Sequence, residues 1–136
     1  MRYMLDTNVL VYVINARPHH EAVLERFDRE PLEDLAVSSI TLAELRYGIA
    51  KSRRRGANRK ALRQALDALN VMPFDTRAAD TYGTVRSELE AAGEPIGPLD
   101  TLIAAHALSL KLTLVTSNTR EFSRVRRLRV ESWIPG

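Results

Sequence analysis

Tyr3-Met4-Leu5-Asp6-Thr7-Asn8 decides the fold: a short apolar run ends on a carboxylate, and a second apolar stretch follows at once, up to Ile14. The run reads as a strand ending at Asp6, and Asn8–Ile14 as a short helix entered from Thr7. The same order recurs along the chain. Pro18 opens a helix to about Arg29, with Ala22, Val23, Leu24 and Phe27 on its apolar face. Leu35–Ser39 reads as a second strand, and Thr41-Leu42-Ala43-Glu44 matches a capping box that starts a helix reaching about Ser52. Asn58 is placed to cap a helix carrying Leu62, Ala65, Leu66 and Leu69. Val71–Phe74 is an imperfect third strand. Thr76 begins a long helix stopped by Gly93, and Pro98 opens another over Leu99 to about Leu110. Thr113–Thr116 is a clear strand and Leu128–Val130 a weak final one. Strands that alternate with helices, several of them apolar without a clean period of two, predict an α/β fold with a parallel sheet covered on both faces.

At 136 residues the chain suits one domain, 1–136, able to bury roughly two-thirds of its unfolded surface. It shows no internal repeat and no linker long enough to divide it. The absence of cysteine excludes disulfides, thiolate nucleophiles and zinc–thiolate sites. No apolar run approaches the roughly 18 residues of a membrane span, and Asp6 interrupts the start too soon for a signal peptide. A cytoplasmic protein without membrane contact is expected. The net charge of +3 conceals a segregation. Residues 51–60 hold six basic residues and no acid; residues 111–129 hold six more and one acid, Glu121; the remainder is net −8. Basic segments set against an acidic remainder suit a polyanionic partner, or else a solvated helical face.

In an open parallel sheet, ligands bind beyond the carboxyl ends of the strands. That rule selects Asp6 at the end of the first strand and Ser117 and Asn118 past Thr113–Thr116. It also selects Glu44 and Asp100, each placed on the first turn of a helix whose start shares that edge. Converging carboxylates repel one another, and a hard divalent cation removes that cost. Oxygen-only ligands favour Mg²⁺ or Mn²⁺ over Zn²⁺. One such ion, or two about 4 Å apart, would support phosphodiester cleavage. Each residue also has a structural explanation on its own. Asp6 could cap a helix, Glu44 could complete its capping box, Asp100 could answer a helix dipole and Asn118 could sit in a turn. His19 and His20 read as surface residues and His106 as a satisfied core or interface histidine. Tyr47, Tyr82 and Trp133 read as packing residues. No phosphate-binding glycine loop, nucleophile elbow or His-Glu-x-x-His is present.

Five segments resemble a known family in order. Met4-Leu5-Asp6-Thr7-Asn8 is similar to the opening of PIN-domain proteins. Ser38-Ser39-Ile40-Thr41-Leu42-Ala43-Glu44-Leu45-Arg46-Tyr47-Gly48 is similar to their second motif and Ile96-Gly97-Pro98-Leu99-Asp100-Thr101-Leu102-Ile103-Ala104-Ala105-His106-Ala107 to their third. Leu114-Val115-Thr116-Ser117-Asn118-Thr119-Arg120-Glu121-Phe122 resembles the fourth, and Leu128–Trp133 the tail. Order and spacing look like the VapC toxins of bacterial toxin–antitoxin pairs, across essentially the whole chain. The resemblance implies a three-layer α/β/α sandwich on a five-stranded, mostly parallel sheet, usually as a homodimer. It implies a Mg²⁺- or Mn²⁺-dependent endoribonuclease acting on structured RNA such as tRNA, initiator tRNA included. It further implies a VapB antitoxin that covers the site and itself binds operator DNA.

Carried over by position, Asp6, Glu44 and Asp100 match the family's acidic triad. Asn118 stands where an aspartate is common, which keeps an oxygen but removes a charge. Thr7, Thr116 and Ser117 are expected to orient ligands or water, and Arg53, Arg54, Arg55 and Arg120 to hold RNA. Two rivals remain at this level. A phosphatase with Asp6 as nucleophile wants an acid where Asn8 stands, and a PIN-like module that binds without cleaving would not need intact acids.

Overall fold

The computed structural model describes residues 1–134. Its centre is a sheet of β1 (Tyr3–Leu5), β2 (Leu35–Ser38), β3 (Asn70–Met72), β4 (Thr113–Val115) and β5 (Val130–Glu131), in the order β3-β2-β1-β4-β5. Every neighbouring pair is parallel, so the sheet expected to be mostly parallel is wholly so. Helices α1 (Thr7–Ile14), α2 (His20–Arg29), α3 (Ser39–Ala50) and α4 (Arg55–Leu66) supply one layer; α5 (Thr76–Ala91), α6 (Pro98–Ser109) and α7 (Thr119–Phe122) supply the other.

Strand residues divide between the layers with the period of two that a pleat imposes. Tyr3, Leu5, Leu35, Val37 and Val115 pack with Val9, Leu10, Val23, Phe27, Leu45, Ile49 and Leu62. Met4, Ala36 and Leu114 pack on the opposite face with Val85, Leu89, Ile103 and the alanines of α6. Both faces of the inner strands are therefore buried, which is why these strands read as unbroken apolar runs. Trp133 closes the first layer edge-on against Tyr3 and Phe27, with the Arg26 guanidinium over its ring. It is a packing residue, as the sequence suggests.

Chain order explains where a site can form. From β1 to β2 to β3 the chain moves one way with its helices on one face. From β3 it crosses to β4 and β5 with its helices on the other. The direction reverses between β1 and β4, and a crevice opens at their carboxyl ends. Asp6 leaves β1 at that point, its backbone N–H donating to the Val115 carbonyl at 2.8 Å.

Several boundaries differ from the sequence reading, each for a local reason. α3 begins at Ser39, capped by Ser38 Oγ, which accepts from the Ile40 N–H at 3.1 Å; Thr41 lies buried inside the helix and caps nothing. The capping box is therefore absent. α4 begins at Arg55 without a side-chain cap, because Asn58 donates instead to Ser52 Oγ at 2.9 Å. α2 starts at His20, since His19 adopts a left-handed conformation at φ 69°. β3 ends at Met72 before Pro73, and β5 falls on Val130–Glu131. Gly93 does terminate α5: at φ 67° it closes a Schellman motif, with Glu94 N–H donating to the Leu89 carbonyl and Gly93 N–H to that of Glu90. Among the described residues no helix is long and apolar enough to cross a membrane.

Candidate active site

Asp6 is the buried centre of the crevice, with 1% of its surface exposed. Its Oδ1 accepts from the Thr7 N–H at 2.7 Å, so it does cap α1. Capping accounts for one oxygen only. Oδ2 accepts from Thr116 Oγ at 2.8 Å, across the switch point from β4. Burial, and the nearby charges of Glu44 and Glu121, nevertheless push the Asp6 carboxyl above its ordinary range; the two hydrogen bonds oppose that shift and do not cancel it.

Glu44 reaches the crevice from the second turn of α3, because that helix starts earlier than its sequence suggests. Its Oε1 accepts from Thr7 Oγ1 at 2.8 Å, and Thr7 Oγ1 also lies 3.2 Å from Thr41 Oγ1. A capping role for Glu44 is thus replaced by a tertiary contact aimed at β1.

Asp100 occupies the first turn of α6, where Pro98 leads and Gly97 caps. A helix N-terminus favours the anion. Yet this carboxyl is pushed up to about 6, by its partial burial and then by the charges of Asp6, Glu121 and Glu44. Gly97 contributes space: a Cβ at that position would stand 3.3 Å from Asp100 Oδ2.

Asn118 heads α7 but makes no cap bond through its side chain. Its Nδ2 donates to Glu121 Oε2, and its N–H donates to Thr116 Oγ1 at 3.0 Å. Glu121 Oε1 accepts from the Gly97 N–H at 3.1 Å, which ties α7 to the start of α6. Glu121 is a member of the cluster that sequence reasoning passed over as the one acid of a basic stretch. The available signal was its place one helical turn beyond Asn118. A position short of one charge thereby has a carboxylate beside it.

Ser117 is exposed and joins none of these hydrogen bonds among the described residues. Arg53 and Arg54 are exposed between α3 and α4, Arg55 is exposed at the start of α4, and Arg120 is exposed on α7. None of the ion pairs among the described residues involves Asp6, Glu44, Asp100 or Glu121. Four carboxylates therefore share a crevice without a cationic partner. A groove of about 240 Å³ runs from Thr7 and Glu44 past Gly48 to Ser52 and Asn58. The larger one, about 580 Å³ between the end of α5 and Arg124–Arg127, contains none of the four acids.

Among the described residues no three acidic or histidine side chains are gathered closely enough to enclose an ion. Mg²⁺ does not require that. It keeps several waters and binds through one or two carboxylates. The donor set fits such an ion: oxygen only, mutually repelling, and without a counter-charge.

His106 stands outside the cluster as a satisfied core histidine. Its Nδ1 is 2.8 Å from Ser38 Oγ, its ring meets Phe74 edge-on, and burial holds its pKa below the ordinary value. His19 is exposed and His20 half-buried. Tyr47 departs from its expected packing role. It is 67% exposed, because its position on α3 is rotated away from buried Leu45 and Ile49. Tyr82 is half-buried and accepts from Arg86 Nη1 at 3.0 Å.

Known proteins resemble the chain over nearly its whole length. The PIN domain family matches residues 3–128. The chain is 41% identical over 133 residues to the tRNA(fMet)-specific endonuclease VapC of Shigella flexneri, covering 98% of each, and 42% identical over 134 residues to ribonuclease VapC2 of Rickettsia felis, again covering 98% of each. Its backbone follows the DNA-bound VapBC structure from Salmonella typhimurium with a TM-score of 0.91, at 41% identity and 98% coverage of both chains. It follows Rickettsia felis VapBC2, bound to a promoter DNA fragment, with a TM-score of 0.87 at 41% identity, covering 98% of this chain and 99% of that one. An aspartate at the switch point, acids brought to it from three helices and full-length likeness to these ribonucleases agree: the chain belongs to the PIN-domain family, among its VapC-type members.

Proposed function

We propose that the chain is a Mg²⁺- or Mn²⁺-dependent endoribonuclease, the toxin of a VapBC-type pair, acting on structured RNA and most specifically on initiator tRNA. The observation that carries the chemistry is the convergence of Asp6, Glu44, Asp100 and Glu121 at the strand ends with no ion pair to any of them among the described residues, which leaves Asp100 raised to about 6. Such a group is poised for a cation. The substrate class rests on the Shigella flexneri relative, which is named for tRNA(fMet). An antitoxin partner rests on three structural neighbours that are VapBC complexes, from Rickettsia felis, Salmonella typhimurium and Haemophilus influenzae, the first two bound to DNA. A homodimer, contact with operator DNA only through the antitoxin, and a cytoplasmic location belong to the same reading.

Asp6 and Asp100 would hold the ion, and Glu44 and the Asn118–Glu121 pair would face the waters it keeps. When bound, the ion supplies Lewis acidity, lowering the pKa of water and offsetting charge on the phosphate and the leaving 3′ oxygen. Thr116 and Thr7 fix the orientation of Asp6 and Glu44. Glu44 has only Oε1 engaged by Thr7, so Oε2 is left to accept a proton from attacking water. Arg53–Arg55 follow α3 on the β2 side of β1, and Arg120 follows β4 on the other side. A phosphate backbone lying across the strand ends would meet basic residues on both sides of the acids. An aspartyl-enzyme route has little support, because Asn8 stands where that chemistry wants a second acid.

The test is incubation of the purified chain with initiator and elongator tRNAs in Mg²⁺ or Mn²⁺, with sequencing of the RNA ends. Cleavage of initiator tRNA that stops in chelator and in Asp6→Ala or Asp100→Ala is expected. Undiminished cleavage in chelator or in either variant overturns the metal-site reading, and cleavage of elongator tRNAs alone overturns the substrate.

A further inference from the structure

Among the described residues Tyr47 is the one aromatic of the exposed large hydrophobic side chains, at 67% exposure. An exposed tyrosine forgoes burial that would stabilise it elsewhere, and here its position is informative. It lies three residues beyond Glu44 on α3, hence on an adjoining strip of the same helix surface. Ile40, two turns earlier on nearly the same strip, packs with the cluster that includes Ile96 and Met72. That is the side on which α6 begins, with Asp100 and with Leu99, itself 45% exposed. The ammonium of Lys51 lies 4.8 Å from the centre of the Tyr47 ring. Arg46, Arg53, Arg54 and Arg55 are exposed nearby in sequence.

We propose that Tyr47, backed by Lys51, is a stacking platform for an unpaired nucleobase of the RNA, next to the phosphate held at the acidic cluster. The proposal deepens the RNA reading above and rests on it. Single-stranded RNA is recognised by bases stacked on aromatic rings and by cations along the backbone, and this patch offers both beside the acids. A second copy of the chain is a poorer occupant. Under a two-fold axis the same patch meets itself, and here it would set Lys51 against its like.

The test is binding in EDTA, where no turnover occurs, of single-stranded RNA oligonucleotides carrying 2-aminopurine at successive positions. At one position the fluorescence should be quenched by the wild-type chain and by Tyr47→Phe. Tyr47→Ala should lose the quench and bind roughly five- to 100-fold more weakly. In cleavage assays the same variant should raise KM while leaving kcat largely in place. Melting curves should be unchanged, because the side chain is exposed. Equal binding and quenching by Tyr47→Ala overturns the proposal. So does an altered sedimentation weight of that variant with the quench intact, which would make Tyr47 a subunit contact. Quenching by a wild-type chain that cleaves nothing would support the platform while removing the catalytic reading.

Discussion

Thr7 Oγ1 donates to Glu44 Oε1 at 2.8 Å, joining residues 37 positions apart. The bond fixes α3 against the end of β1, because the Thr7 N–H is at the same time held by Asp6. One threonine thus positions two carboxylates. Thr7→Val keeps the shape and removes the hydroxyl. It should lower kcat roughly 10- to 100-fold, the usual cost of removing an orienting partner, with little change in KM. Thr7→Ser should retain most of the activity. Equal kcat in wild type and Thr7→Val would show that Glu44 needs no such support.

Asp100 ties catalysis to a cost in stability. Its folded pKa is about 6 against an ordinary 3.8, so the folded state binds the proton more tightly than the unfolded one. Ionised Asp100 therefore destabilises the metal-free fold above pH 6. That penalty is relieved as pH falls from about 6 toward 4. Asp100→Asn should abolish cleavage and raise the melting temperature at pH 7.5 by a few degrees. The gain corresponds to about 1 kcal/mol once solvent screening at a half-buried carboxylate is allowed for. At pH 4 the two proteins should melt together. A lower melting temperature for Asp100→Asn at pH 7.5 would mean that the carboxylate is held by favourable contacts instead.

Much of this arrangement was legible because strand ends are legible. Asp6 follows an apolar run, and Asp100 follows Pro98, so each could be placed without knowing the tertiary structure. Glu44 reached the right edge for a wrong local reason. Thr41-x-x-Glu44 matches a cap pattern, but Ser38 and Ser39 compete to start the helix, and Ser38 succeeds because β2 ends on it. The Thr7–Glu44 bond depends on a crossover that no local pattern encodes. Asn58 illustrates the same limit, its amide drawn to Ser52 rather than to the start of its own helix. Glu121 was hidden by its surroundings, since an acid among arginines reads as a surface charge. Tyr47 was read from residue type alone, although its helical phase sets it apart from Leu45 and Ile49.

Proton and metal should compete for the same carboxylate. Mn²⁺ binding, followed by calorimetry on the wild-type chain, is expected to be nearly independent of pH above about 7 and to weaken about tenfold per unit below 6, as Asp100 takes up its proton. Asp100→Asn should bind far more weakly and lose that slope. An unchanged affinity from pH 5 to 7 would separate Asp100 from the ion.

Asn118 and Glu121 supply the sharpest contrast between structural and metal-binding roles. The Asn118 amide donates to Glu121 Oε2, while Glu121 Oε1 holds the Gly97 N–H at the start of α6. Asn118→Asp replaces that donor with a carboxylate facing a carboxylate. The metal-free protein should lose about 1–2 kcal/mol at pH 7.5, from the missing hydrogen bond and from like-charge repulsion. For a chain of this size that is a drop of roughly 3–8 °C in melting temperature. Added Mn²⁺ should recover it and give a larger thermal increment than in wild type, because the extra charge favours the cation. Asn118→Ala separates the two effects: it loses the hydrogen bond without adding charge, so its increment with Mn²⁺ should not exceed that of wild type. If Asn118→Asp melts with wild type in chelator and gains no more from Mn²⁺, Asn118 and Glu121 lie outside the reach of the ion, and their bond serves only to hold α7 against α6.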